Sequence, residues 1–468
     1  MRALKTTAIC VGILLMLPIV VFAVVFTIGS YVEYDLPKEH VAADSTRLQI
    51  LDGYKAYDDN MLRQSNSGLW EMYLEGRPEE RGSAYGMLAK ELIRHQESTF
   101  IGRIKEIIPS ETYLNILRRI VICANRNIDH HIADEYRSEI YGMSQVCSPE
   151  FDELVGNAYD RQLNFHGAHD IGHAMQRYML VGCTAFAAWD NYTADSAMIV
   201  GRNFDFYFGD EFARHKMIVF VNPTEGIPFV SVSWPAMMGV VSGMNSEGIT
   251  VTLNAAAGPL DINGKTPVSI LARQIVQYAH SIDEAVAIAE QTETSVSEQI
   301  FVCSAKERKA IVIEKSPDMM DVCLSDTGAI ALTNHYRSNS LHDIESYPVS
   351  ERRLLRTEEL INRQKGNLTT QHAVDILRDY RDRHNEPLPI GSEEAVCQFI
   401  CHHSVIFKPD SLQMWVSTSP WQLGKYVCYD MRKIMEHRDF SAEIALDEHS
   451  LPADSAMIQM YNNQKKQH

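Results

Sequence analysis

The pattern of apolar and polar residues divides this chain into blocks of different period. From Thr6 to Val32 no charged residue breaks the run. Its apolar heart, Ala8 to Gly29, would reach about 33 Å as a helix, against a hydrocarbon core of about 30 Å. Asp35 to Gly68 is polar and reads as a tether. Tyr73 to Gly86 then carries a Gly/Pro cluster, and Met87 to Ile93 is apolar with helical spacing. That order predicts a strand, a tight turn and a helix. Between about 111 and 181 apolar residues recur at three and four, with Ala133–Met143 and Ala158–Leu180 as helix candidates. From Cys183 the texture changes to short β runs: Cys183–Trp189, Ala197–Val200, Met217–Val221, Phe229–Trp234, Gly248–Leu253, Ile300–Cys303, Ala310–Glu314 and Ala329–Leu332. Helical stretches are expected at Pro267–Ala279, Ile282–Thr292, Val349–Asn362 and Thr370–Tyr380, and further strands near Ser404–Lys408 and Gln413–Ser417. Strand blocks beside helix blocks, without regular βαβ alternation, predict antiparallel sheets with helices packed on them.

Charge and composition narrow the function. The 468 residues are 45% hydrophobic and 22% charged, as in globular proteins with a substantial core. A net charge of −18 and the lack of a basic run argue against nucleic-acid binding. Arg2 and Lys5 precede the apolar segment, and Glu33 and Asp35 follow it. This predicts an uncleaved signal-anchor that leaves the body outside the cytoplasm, in a periplasmic, extracellular or lumenal space.

The nine cysteines form no CxxC pair. Cys397 and Cys401, followed by His402 and His403, faintly resemble a metal site, but their apolar setting reads as buried structure. His166, His169 and His173 lie just before Cys183. His169 and His173 could share a helix face, yet no glutamate follows His169 as an HExxH site requires. No metal or other cofactor is expected, and the role of these three histidines stays open.

Gly182-Cys183-Thr184 opens a strand-like run. Cleavage of the Gly182–Cys183 bond would give Cys183 both a thiol and a free α-amine. Ordinary pKa values of about 7.7–8 for the amine and about 8.5 for the thiol let one accept the other's proton near neutral pH. Glycine at 182 would allow the thiol to approach the carbonyl it must attack.

These residues carry a resemblance. Gly182-Cys183-Thr184-Ala185-Phe186 followed by Gly201-Arg202-Asn203-Phe204-Asp205-Phe206 resembles the β-chain start of the acyl-CoA:6-aminopenicillanic-acid (isopenicillin N) acyltransferase family. These are N-terminal-nucleophile hydrolases, peptidase C45-like and related to choloylglycine hydrolases. Upstream, Gly76-x-Pro78-x-Glu80-x-Gly82-x-x-x-Gly86 and Glu139-Ile140-Tyr141-Gly142 resemble its α-chain. Downstream, Gly243 to Ile249, Leu253-Asn254, Thr333-Asn334-His335 and Ser350 to Arg353 fall in register, so the likeness runs from about 70 to 420.

The resemblance implies an αββα sandwich, two stacked antiparallel sheets between helix layers. Preceding it would come a transmembrane segment (1–32), a tether (33–68) and a helical α-chain part (69–182), with the catalytic core at 183–468. It implies Cys183 as nucleophile, Gly182–Cys183 as the cleavage site and Asp205 as holder of the freed amine. Arg202 would lie near the thiol, Asn254 and Asn334 would face the oxyanion and amine, and Arg353 would organise the site. The expected reaction is cleavage of a linear amide, such as an N-acyl amino acid or lipid amide, through an acyl-thioester, with water or an amine as acceptor. Two other readings compete: a non-catalytic envelope protein that binds lipid or a partner on the same fold, and a thiol protease pairing Cys183 with His335. The acyl group, the leaving group and the oligomeric state are not legible.

Overall fold

The computed structural model describes residues 20, 23–174, 181–325, 327–338, 347–437 and 453–465. Two sheets form the centre. The larger runs in the order β1(Leu48–Leu51), β2(Tyr54–Tyr57), β3(Asn60–Gln64), β4(Trp70–Gly76), β7(Met217–Pro223), β8(Phe229–Ser233), β9(Ser242–Asn245), β10(Ile249–Ala255), β11(Glu298–Ser304), β12(Lys309–Lys315), β13(Met320–Leu324). The smaller runs β14(Ala329–Leu332), β5(Val181–Ala188), β6(Ile199–Phe206), β15(Cys401–Lys408), β16(Gln413–Ser417), β17(Tyr426–Asp430).

Side-chain alternation assigns each face of the large sheet. On β11 and β12, Phe301, Cys303, Ala310 and Val312 join a core shared with Ala185, Ala187 and Val405 of the small sheet. Their neighbours Ile300, Val302, Ile311 and Ile313 face the other way, into a core shared with helices Pro78–Ile107, Asp134–Ser144, Val268–Tyr278 and Ile282–Gln291. Helices Pro348–Arg363 and Thr370–Leu377 pack on the small sheet through Leu354, Ile361, Val374 and Leu377. Two sheets between helix layers follow, as expected.

Several sequence expectations need correction. Residues 33–68 are not a plain tether, because 48–64 form the edge strands β1 to β3. β1 has an intermediate, then three exposed residues, so it lacks the apolar alternation that marks a strand. The strand expected before the Gly/Pro turn is β4, so the part before Cys183, expected to be a helical region, also contributes to a sheet. β4 enters the large sheet parallel to β7, with Met72 beside Val219 and Leu74 beside Val221. The large sheet is therefore mixed, and the core is built from both sides of residue 183. Most of the expected membrane span, residues 1–19, 21 and 22, lies outside the described residues. Among those described, no helix is long and apolar enough to cross a membrane.

The glycines of the upstream motifs serve packing. Helices Pro78–Ile107 and Asp134–Ser144 cross with backbones in contact. A Cβ on Gly82 would stand 2.5 Å from the Glu139 carbonyl oxygen, and one on Gly142 would stand 2.5 Å from the Ser83 nitrogen. Beside this crossing, Glu139 bridges buried Arg81 and Arg273 of Val268–Tyr278. Burial pushes the Glu139 carboxyl up, but Arg273 and Arg81 together hold it below its ordinary value. Glu139→Gln would leave two buried guanidinium groups without a counter-ion. It is expected to destabilise the fold by about 3–5 kcal/mol in urea unfolding.

Candidate active site

Cys183 lies on β5 with no exposed surface. The β5–β6 ladder sets it opposite Phe204, and sets Gly182 opposite Asp205. Facing residues in such a ladder share a side of the sheet. The thiol therefore lies on one face with Arg202 and Phe204, while Asp205 lies on the other with Gly182.

Each polar atom of Cys183 has its own partner. Its amide N–H donates to Asn334 Oδ1 at 2.7 Å. Its sulfur accepts from Arg202 Nη2 at 3.7 Å. Its carbonyl accepts from Arg353 Nη2 at 3.3 Å. Arg353 also donates to Asn334 Oδ1 and to the Glu393 carbonyl. Asn334 is fixed further: its Nδ2 donates to the Ala255 carbonyl at 2.9 Å, and its own amide donates to Ser350 Oγ at 2.7 Å. Asn254 Nδ2 donates to the Thr333 carbonyl at 3.1 Å, while its buried Oδ1 has no partner among the described residues.

Arg202 is wholly buried. It donates to the carbonyls of Val241 and Leu253 and to Ser242 Oγ, and its guanidinium sits 4.6 Å above the Phe204 ring. Burial lowers its pKa, yet an arginine so placed remains a cation. In the unbroken chain burial pushes the Cys183 thiol up to about 11. Arg202 opposes that rise, and Asp205 and Glu298 add to it.

Burial also raises Asp205 to about 7 against the pull of Arg353. The Arg353 cation and the Cys401 thiol both favour its ionised form. Gly182 stands directly across from Asp205.

The structure thus brings Cys183, Arg202, Asn334 and Arg353 into direct contact, with Asp205 across the ladder and Asn254 on the strand end that supplies Leu253. Glu298 was not legible as part of this group. It is fully buried within electrostatic reach of Arg202 and the thiol, and burial drives its carboxyl well above the ordinary range. Ser242 and His403 were missed too, because they reach the group from β9 and β15. His335 Nδ1 is bonded to Ser350 Oγ at 2.8 Å, whereas the thiol is met by Arg202, which does not favour a Cys183–His335 protease pair. His166 packs inside, with Nδ1 on the Gln162 carbonyl and Nε2 accepting from the Met238 amide. The side chains of His169 and His173 lie outside the described residues. Among the described residues the group spaced for a cation is Asp35, Asp129 and His130; the Cys397–His403 segment is not one.

Comparison with known proteins places the motifs in a family context. The family model for acyl-coenzyme A:6-aminopenicillanic acid acyl-transferase matches residues 192–419. The resemblance read from the motifs therefore holds over that stretch, which starts nine residues after Cys183. An uncharacterised protein of Archaeoglobus fulgidus is 25% identical over 400 residues, 76% of this chain and 65% of its own length. Protein dcd1B of Dictyostelium discoideum is 22% identical over 269 residues, 55% of this chain and 52% of its own. The chain thus spans between half and two thirds of these relatives.

Among solved structures, a Caenorhabditis elegans N-acylethanolamine-hydrolyzing acid amidase ortholog is 18% identical. That match covers 48% of this chain and 93% of its own, at a TM-score of 0.38. Penicillin V acylase from Agrobacterium tumefaciens is 13% identical, covering 54% and 87%, at 0.37. At such scores no residue role carries across.

The raised Asp205 pKa sets a pH signature for the uncleaved chain. The folded form keeps its proton up to about pH 7, whereas the unfolded form releases it near 3.8. Stability is then full below pH 3.8 and falls as pH rises towards 7, by roughly 4 kcal/mol at most. In a Cys183→Ala background, denaturant midpoints should drop across that window, and adding Asp205→Asn should flatten the drop.

Proposed function

We propose that this protein is a self-cleaving cysteine hydrolase or acyltransferase of linear amides. The carrying observation is that one residue, Cys183, has its nitrogen, sulfur and carbonyl each met by a different polar side chain. Sulfur would attack the Gly182 carbonyl carbon. The Gly182–Cys183 C–N bond would break as that nitrogen takes up a proton, leaving a thioester that water opens. The freed α-amine, held by Asn334 Oδ1 and Asp205, would then take the thiol proton.

In turnover the thiolate would be stabilised by Arg202 and would attack the substrate's amide carbonyl. Asn254 Nδ2, once released from the Thr333 carbonyl, would donate to the developing oxyanion. The leaving amine would take the proton from the α-amine, and water or another amine would accept the acyl group. An apolar acyl group suits the thiol's surroundings. Phe204, opposite Cys183, stacks with Phe206 and Trp234 at centroid distances of 5.6 and 6.0 Å. A lipid-like acyl amide is the proposed substrate. The proposal keeps the body outside a membrane, on the order of charges around residues 6–32.

Purified protein should run as two chains, residues 1–182 and 183–468, and stepwise degradation of the second should return cysteine first. Cys183→Ala should give one band of about 53 kDa. An active wild-type chain that stays whole would overturn the maturation step. A processed Arg202→Ala chain should lose about 10²–10³ in kcat on an amide substrate.

A further inference from the structure

Arg202 is held by more than carbonyls. Its Nη1 donates to Ser242 Oγ. Ser242 Oγ lies 2.8 Å from His403 Nε2, and His403 Nδ1 lies 3.0 Å from His402 Nδ1. All three residues have no exposed surface.

The partners assign the protons. Ser242 Oγ accepts from Arg202, and His403 Nε2 is its other hydrogen-bond partner, so the arrangement that gives the hydroxyl hydrogen an acceptor directs it to His403 Nε2. His403 then carries its proton on Nδ1 and donates to His402 Nδ1. His402 keeps its proton on Nε2, which has no hydrogen-bond partner among the described residues. Around that ring stand Trp234, Phe212 and Phe204, with centroids at 5.3, 5.9 and 6.2 Å and steeply inclined planes. Both imidazoles are neutral in this arrangement. Burial takes His402 down to about 3, and burial with His402, Arg202 and Lys216 takes His403 well below its ordinary value.

The backbone is shaped for this chain. Regular strand geometry would send residues 402 and 403 to opposite faces. A register shift between Cys401 and His403 brings both rings against Phe204. Bulges of this kind re-aim side chains. The shift also sets His403 opposite Phe204, which is itself opposite Cys183. Nucleophile, aromatic platform and imidazole therefore form one row across β5, β6 and β15.

We propose that Ser242, His403 and His402 form a one-way hydrogen-bond chain that fixes Arg202 against the Cys183 sulfur, which makes His403 a positioning residue for the nucleophile. The chain accepts from the guanidinium and passes no charge back. It leaves Nη2 aimed at sulfur and restrains the cation from turning toward other acceptors. This inference rests on the nucleophile role proposed above for Cys183.

The test reads the thiol directly. Iodoacetamide labelling of Cys183 in the matured full chain is followed by peptide mass spectrometry across pH, for wild type, His403→Met, Ser242→Ala and His403→Gln. His403→Met and Ser242→Ala should move the labelling midpoint up by about one pH unit or more, a roughly tenfold loss of thiolate below it. His403→Gln, whose amide oxygen can still accept from Ser242, should return to within about threefold of wild type. If His403→Met does not fold, the smaller Ser242→Ala change decides. A wild-type midpoint in Ser242→Ala overturns the positioning chain and leaves the nucleophile reading intact. A wild-type chain that never exposes a labelled, N-terminal Cys183 overturns the nucleophile reading itself.

Discussion

Between β5 and β6 the ladder pairs Cys183 with Phe204 and Gly182 with Asp205. A slip of one residue would exchange the two faces. The thiol would then point at Thr370–Leu377 and the polar groups beneath it, and Arg202 would leave its cage of carbonyls. Register here is held most visibly on the face that carries Asp205. Phe186 lies over Gly201 on that face, where a Cβ would come within 2.7 Å of the ring. Two residues further along the same face, Asn203 Nδ2 donates to the carbonyls of Leu377 and Val396. Close packing and a satisfied amide on one face, with the hydrogen-bonded Arg202 on the other, leave a single alignment of lowest energy.

Around that register the chain buries cations that cannot shed their charge. Arg202 and Arg353 are both inaccessible and both satisfied largely by backbone carbonyls. Carboxylate partners would neutralise them. Carbonyl dipoles hold a guanidinium while leaving its positive field available to a neighbouring sulfur. The nearby carboxyls, Asp205 and Glu298, are instead driven towards their neutral forms by burial. Two buried guanidinium groups thus lie beside carboxyls whose ionisation burial disfavours, in a protein whose overall charge is −18.

Much of the architecture was legible because it obeys short-range rules. β7, β12, β14 and β16 were readable from apolar runs, and helix Ile282–Gln291 from its helical pattern. Cys183, Arg202, Asn334 and Arg353 were nameable from motifs, and the structure does bring them together. What escaped notice was non-local or exposed. β1 hides because its residues face solvent. Ser242, Glu298 and His403 look ordinary in sequence, since only sheet stacking and a bulge bring them to the thiol. The stretch holding His402 and His403 read as buried structure, but no local signal could show that the two rings bond to each other.

The parallel pairing of β4 with β7 reaches beyond architecture. Four strands of the large sheet precede residue 183, and Arg273 beyond it shares Glu139 with Arg81 before it. Severing the chain at that point would leave the two pieces interleaved, so nothing need fall apart. Regaining the fold after denaturation would, however, become an encounter between two molecules, dependent on their concentration and competing with aggregation. The unbroken polypeptide is then the species that knows how to fold, and the cut one persists by the slowness of its unfolding.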